Sequence, residues 1–291
     1  MIVRSLLNFA VIALMLTLIS CKKVKVDSDM LDNMPISSAV EKDGQLFLHG
    51  KDVSAIFSAN SCRVESGGVQ IVFPQETLRS NEGIWHLPKH AELLKCLFEP
   101  QTLAVKTIVI DPGHGGNDPG AISVSKKAKE KDLNLDLALK LGAELQKHGF
   151  NVCYTRDDDS TLALNHRGGR FKADLFVSIH HNASKNISAS GAETYCLLSN
   201  DAADKERIVP AFQIACEMQK WQSQATGNYG RGVKFASFRV LKDAKCPAIL
   251  FETGFITHPD EEKRCLSDRF RQVMAQALAQ GIVRGVSPSK R

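Results

Sequence analysis

The chain has 291 residues, 43% hydrophobic and 24% charged, with a formal net charge of +5. That balance is ordinary for a globular protein, and the length allows one sizeable core plus a small accessory module, or two modest domains. The positive charge is spread along the chain rather than gathered in a basic arm, which argues against nucleic acid as a partner and leaves room for an anionic polymer.

Residues 1–20 carry Arg4 and then an apolar run from Leu6 to Ile19. The run is shorter than the ~20 apolar residues a membrane span requires, and it reads as a signal peptide to be set aside from the fold. It ends in Leu18-Ile19-Ser20-Cys21, which resembles the bacterial lipobox. Cleavage there leaves Cys21 as a lipidated N-terminus; the plainer alternative is an uncleaved anchor. Residues 21–40 are polar, without an apolar period, and read as a flexible tether.

Residues 41–100 alternate short apolar runs with turn signals: GQLFLHG, SGGVQIVFP and GIWHLP as strands, AELLKCLF as a helix. The expectation is a small α+β module serving as spacer or docking surface, with no catalytic constellation. Seven cysteines follow Cys21, none with CxxC spacing, which excludes a zinc ribbon or thioredoxin motif. Cys153 and Cys196 fall in strand-like runs and read as small buried hydrophobes. A secreted setting permits a Cys62–Cys96 bridge without establishing it.

From Lys106 the pattern becomes strand–helix alternation. KTIVID is a buried strand, KDLNLDLALKLGAELQKHG a helix ending at Gly149, and FNVCYTR a strand. LALNHRGGRFK is a short helix, ADLFVSIH and GAETYCLLS are strands, and a long helix spans about 201–225. CPAILFETG is another central strand, and one final helix runs from Pro259 to Val283. This order implies a twisted, mostly parallel α/β sheet flanked by helices, with ligands at the carboxyl ends of its strands.

Several chemistry-bearing residues fall on that rim. The first strand releases His114, the third ends at His180-His181, a later one ends at Glu252, and Glu130 opens the first helix. Two neutral imidazoles and one carboxylate make a three-ligand zinc site with a position open for water. Bound zinc lowers the pKa of water from about 15.7 to ~7, and a further carboxylate can move the proton. The inventory fits metal-assisted hydrolysis of an amide. Singly, each residue has a plainer reading: His114 as a turn cap, Glu130 as a surface acid, His180 as a core histidine.

Together IVIDPGHGGNDPGAI, EKDLNLDLALKL, VCYTRDDD, ADLFVSIHHNAS and GRGVKFASFRVLKDAKCPAILFETGFITHPDEE resemble the zinc-dependent N-acetylmuramoyl-L-alanine amidases. The resemblance runs from about Lys106 to Val286, within an expected catalytic domain at 104–287, and does not cover residues 22–100. It implies a phosphorylase/hydrolase-like fold, Zn2+ held by His114, Glu130 and His180, and Glu252 as the catalytic carboxylate. His181 stands where relatives have a small residue and is the rival third ligand. The implied substrate is the amide joining N-acetylmuramic acid to L-alanine, in peptidoglycan, its fragments or its precursors, in wall remodelling, division or recycling. The implied setting is the periplasm, with a membrane link through lipidated Cys21 and division or wall proteins docking on residues 41–100.

Two departures stand out. Gly168-Gly169 interrupt a stretch that is a longer helix in relatives, and only Asn182 to Ser190 separate the histidine pair from Gly191. Those nine residues leave no room for the autoinhibitory helix that some relatives hold there. Two rival readings exist. Ser123-Val124-Ser125-Lys126 matches the SxxK of serine penicillin-binding enzymes, a loose pattern that recurs at Ser287–Lys290 without any KTG. A degenerate, purely binding relative would have lost a ligand or the glutamate, and none is lost here.

Overall fold

The computed structural model describes residues 22–23, 26–27, 34–51, 53–80, 84–88, 90–227 and 229–287. The expected signal peptide at 1–20 and the expected lipidation site Cys21 lie outside the described residues. The chain divides into two compact units, residues 1–67 with 73–98, and residues 68–72 with 99–291.

The first unit is built mainly on antiparallel pairing, with β2 (Val26–Asp27) and β8 (Trp85–His86) as a parallel pair. Its strands are β1 (Lys22–Lys23), β2 (Val26–Asp27), β3 (Ser38–Lys42), β4 (Gln45–His49), β5 (Ser54–Ser58) and β6 (Ser61–Ser66), followed by β7 (Val69–Arg79), of which residues 73–79 belong to this unit, and β8 (Trp85–His86). β1 pairs with β3, and β3 to β6 form successive antiparallel neighbours. Every second residue of β4 and β5 points inward, so Leu46, Leu48, Ala55 and Phe57 fill one face together with Val64 and Trp85. A 3₁₀ turn at Ala91–Leu94 leads into α1 (Lys95–Phe98). Three strands expected from the sequence are present as β4, β7 and β8. β3, β5 and β6 were not expected, because serine, glutamate and arginine dilute their apolar alternation. β1 and β2 fall in the stretch read as a tether. Cys62 and Cys96 are free thiols.

The second unit is the α/β sheet. Its elements are β9 (Thr107–Pro112), α2 (Glu130–Lys147), β10 (Asn151–Tyr154), β11 (Leu175–Asn182), β12 (Ala192–Leu197) and α3 (Lys205–Thr226). Then come β13 (Gly230–Ala236), α4 (Arg239–Asp243), β14 (Ala248–Phe255), α5 (Pro259–Leu266) and α6 (Asp268–Val286). The strand order is β13-β12-β14-β11-β9-β10. Every pairing is parallel except β12 with β14, so the sheet is mostly parallel as expected. β9, β11 and β14 are its centre, and their near-continuous Val, Ile, Leu and Phe runs are buried on both faces.

α2 packs on β9, β10 and β11, α3 on β12, β13 and β14, and α6 against both helices. The approach of α6 to α3 is set by two glycines four residues apart. A Cβ built at Gly281 would lie 2.5 Å from Met218 Cα, and one at Gly285 would lie 2.6 Å from Ile214 Cα.

Four expectations are corrected. β13 was missed because its two glycines, arginine and lysine hide the strand pattern. α4 was missed because five residues carry too little periodicity. The final helix is two helices: α5 starts at Pro259 as expected, but the chain turns at Ser267, whose side chain accepts from Phe270 N–H to cap α6. Cys153 is exposed rather than buried, since β10 is an edge strand, whereas Cys196 is buried.

Replacing Gly281 by leucine drives a side chain into the α3 backbone. The expected loss of unfolding free energy is about 1–3 kcal/mol or more, read from urea denaturation. A loss below about 0.5 kcal/mol, typical of a free surface, would show that the two backbones are not in contact.

Candidate metal centre

β9 delivers its chain into the rim through a buried network. Asp111 is fully buried at the strand end and accepts from Thr155 Oγ1 at 2.6 Å, Ser178 Oγ at 2.7 Å and Arg167 Nη1 at 2.8 Å. Arg167 also donates to the carbonyls of Pro112 and His114. Arg156 donates to the carbonyls of Pro112, Gly113 and Lys131. Two guanidiniums therefore grip three consecutive carbonyls of the loop that carries His114.

That grip holds an unfavourable conformation. His114 sits at φ 63°, a left-handed geometry that costs a non-glycine residue roughly 1–3 kcal/mol and persists only when its surroundings enforce it. The preceding residue must be glycine, because a Cβ at Gly113 would fall 2.2 Å from the His180 ring. The two rings consequently approach edge to face, with centroids 5.0 Å apart and planes at 79°.

Glu130, the first residue of α2, is 5% exposed. Its Oε2 accepts from Ala121 N–H at 2.9 Å, and its Oε1 from Asn134 Nδ2 and His181 N–H, each at 3.3 Å. The same carboxylate faces His114 Nε2 at 3.2 Å and His180 Nδ1 at 2.8 Å. One ligand atom from each of His114, Glu130 and His180 lies within 4.8 Å of the others. The structure thus brings together the three residues singled out in the sequence, from a loop, a helix start and a strand end.

The electrostatics follow from this crowding. Burial would raise the Glu130 carboxyl, but hydrogen bonds and charge from the two imidazoles overcome it and hold it far below the ordinary carboxylate range. Burial also opposes protonation of His114, yet Glu130 and Asp118 outweigh it and push the ring up to about 9. His180 is raised in the same way, Glu130 again outweighing burial. Asp118 Oδ2 holds His114 Nδ1 at 2.8 Å, leaving Nε2 toward Glu130.

Glu252 stands beside His180 in the parallel register of β14 with β11. Its Oε2 is buried without a hydrogen-bond partner among the described residues. Burial pushes its carboxyl up to about 7; the His180 charge opposes this, while Glu130 and Glu193 reinforce it. His181, next along β11 where the register shifts between His180 and Asn182, is not among the three residues whose ligand atoms converge. It is buried, its Nδ1 lies 2.8 Å from Asn134 Oδ1, and desolvation pushes it down to about 3, so it is neutral.

Ser123 is buried, and its hydroxyl accepts from Ala128 N–H at 3.1 Å, while Lys126 is exposed. The serine of the SxxK pattern is therefore part of a turn, and the pattern has no nucleophile to offer. Sequence reasoning missed the supports: Asp118, Asn134, Arg156 and Arg167. Asn134 had a signal, since it lies one helical turn after Glu130 and shares its face. The arginines had none, because the groups they hold at the end of β9 and in the His114 loop lie more than forty residues away.

Comparison with known proteins agrees with this geometry. Residues 108–284 match the family model described as N-acetylmuramoyl-L-alanine amidase. The chain is 34% identical over 211 residues to the probable cell wall amidase LytH of Staphylococcus aureus, covering 71% of this chain and 68% of that protein. Its structure is similar to the catalytic domain of CwlV, an N-acetylmuramoyl-L-alanine amidase from Bacillus (Paenibacillus) polymyxa, at 36% identity and TM-score 0.55 over 61% of this chain and 96% of that one. It is also similar to an N-acetylmuramoyl-L-alanine amidase from Clostridium difficile 630, at 35% identity and TM-score 0.58 over 64% and 99% of the two chains.

Truncating Asp111 to alanine strands the buried Arg167 charge, and the expected cost is about 3–5 kcal/mol in chemical denaturation. A cost below about 1 kcal/mol, the range of an exposed pair, would mean that Asp111 does not anchor the loop.

Proposed function

The chain belongs to the N-acetylmuramoyl-L-alanine amidase family, and we propose that it works as a zinc hydrolase with His114, Glu130 and His180 as ligands and Glu252 as the proton-transfer group. As a member of that family it is an amidase of peptidoglycan, cleaving the bond between the muramoyl group and L-alanine. The observation that carries the residue assignment is the convergence of three ligand atoms within 4.8 Å, with Glu252 in register beside one of them.

The donor set fits a divalent cation. Two imidazoles and one carboxylate match the protein ligands of catalytic zinc sites. Both imidazoles hold protons more tightly than usual because a buried carboxylate lies between them, and a dication supplies the same positive charge in their place. The carboxylate of Asp118 on the far nitrogen of His114 is the outer support that such ligands use to fix ring and tautomer.

The chemistry that zinc supplies when bound is Lewis-acid polarisation and acidification of water toward neutrality. The chain's own residues do the rest. The gripped loop and Gly113 set His114 against His180, while Ala121 N–H, Asn134 and His181 N–H aim the Glu130 carboxylate. Glu252, buried beside His180 with its Oε2 free of any hydrogen bond among the described residues, takes a proton from the attacking water and hands it to the leaving nitrogen. The connection between β11 and β12 contains no helix, so that connection holds none to be displaced from the rim.

In this reading residues 104–287 form the catalytic domain and residues 41–100 serve as a docking module for wall or division proteins. The leader at 1–20 and Cys21 place the enzyme in the periplasm as a tethered lipoprotein.

Glu252→Gln is expected to retain metal and fold while losing about 10²–10⁴-fold in turnover, with mass spectrometry of muropeptide products as the readout. Turnover near that of the unaltered enzyme would remove Glu252 from the mechanism. Metabolic labelling with a fatty acid is expected to mark the chain and to vanish in Cys21→Ala. An unlabelled but membrane-bound chain would point to an uncleaved anchor instead.

A further inference from the structure

The strand register aligns more than the metal ligand and the proton-transfer group. Glu252 on β14 faces His180 on one side and Glu193 of β12 on the other. Beyond Glu193 comes β13, where a register shift places Arg231 between the pairs Ala192–Gly230 and Thr194–Val233. Four neighbouring strands thus carry one row along the rim: His180, Glu252, Glu193, Arg231.

Glu193 is 2% exposed and oversupplied with cations. Arg231 Nε and Lys234 Nζ both donate to its Oε1, while Oε2 accepts from Tyr195 OH at 2.6 Å and Asn182 Nδ2 at 3.0 Å. One carboxylate is matched by one cation, so the group carries a net charge of +1. Both cations remain open to solvent, with side chains 40% and 21% exposed for Arg231 and Lys234. Aromatic rings hold them in place. The Arg231 guanidinium lies 5.3 Å from the centroid of Phe255, and the Lys234 ammonium lies 5.8 Å from that of Tyr195. The partly exposed Phe238 packs edge-on against Tyr195, extending the wall.

We propose that Arg231 and Lys234 form a subsite for a carboxylate on the peptide side of the scissile amide, borne by the second residue beyond it. This rests on the amidase reading above. The muramoyl side offers no such anion there, since its lactyl carboxyl is consumed in the amide. The distance fits as well. Both cationic groups sit at the Glu193 carboxylate, one strand spacing from Glu252, or about 5 Å. An extended peptide advances ~3.3–3.6 Å per residue, so one or two residues span the gap. Glu193 thereby acts as a positioning residue, holding two long side chains toward the rim.

The test uses the full mature chain and two soluble muramoyl dipeptides whose second residue carries its carboxylates either free or as carboxamides. The unaltered enzyme should show a lower KM for the acidic substrate. Arg231→Gln should raise that KM roughly tenfold, leave kcat within about twofold, and leave the KM of the carboxamide unchanged. Lys234→Gln should shift it in the same direction, which keeps the test intact if one variant misfolds, and Arg231→Lys should largely preserve it. Equal changes for both substrates, or none, would overturn the subsite. Hydrolysis of neither substrate by the metal-loaded unaltered enzyme would contradict the amidase reading, and the subsite with it.

Discussion

A carboxylate set between two imidazoles governs the centre of this protein. Glu130 is buried at the start of α2, held by three neutral donors and flanked by His114 and His180. A buried anion of this kind is costly unless positive charge is brought to it. The only charge partners in contact with it among the described residues are the two rings, which it drives toward protonation. The site is thus organised around a demand for positive charge, which protons or a dication can meet.

Much of the surrounding structure serves to hold that geometry. The helix start gives Glu130 a favourable end of the dipole, and the strand end of β11 fixes His180. His114 has neither support and occupies a left-handed conformation. The Asp111 network and the two arginines compensate by binding the loop carbonyls on either side of it. Rigidity at this rim therefore comes from buried polar groups in the strand ends, with the apolar sheet beneath as a base. The same rim extends laterally through Glu252 and Glu193, so the proposed proton transfer and substrate anchoring share one row of adjacent strands.

The parts legible in the sequence were those whose signal is local. β9, β11 and β14 are continuous apolar runs, α2 has leucines at helical spacing, and each candidate ligand sits directly at the end of such an element. Strand ends on one rim converge, so His114, His180 and Glu252 could be grouped without a structure. His180 and His181 are told apart by their contacts, His180 Nδ1 meeting Glu130 Oε1 and His181 Nδ1 meeting Asn134 Oδ1. What was not legible depends on distant partners. β13 is a strand because β12 pairs with it, despite its glycines and charges. Ser267 divides the last helix through a cap that competes with otherwise unbroken apolar spacing. Arg156 and Arg167 grip backbone carbonyls more than forty residues away, and nothing near them in the sequence announces it.

The central claim is that His114, Glu130 and His180 form one preorganised cation site with Glu252 beside it and outside the coordination shell. Anomalous diffraction at the zinc edge, on crystals of the zinc-loaded protein, tests this most directly. One peak is predicted, about 2.0–2.2 Å from a nitrogen of each of the two histidines and an oxygen of Glu130, with no bond to Glu252. A peak ligated by His181 or by Glu252, or no peak between the two imidazoles, would contradict the account.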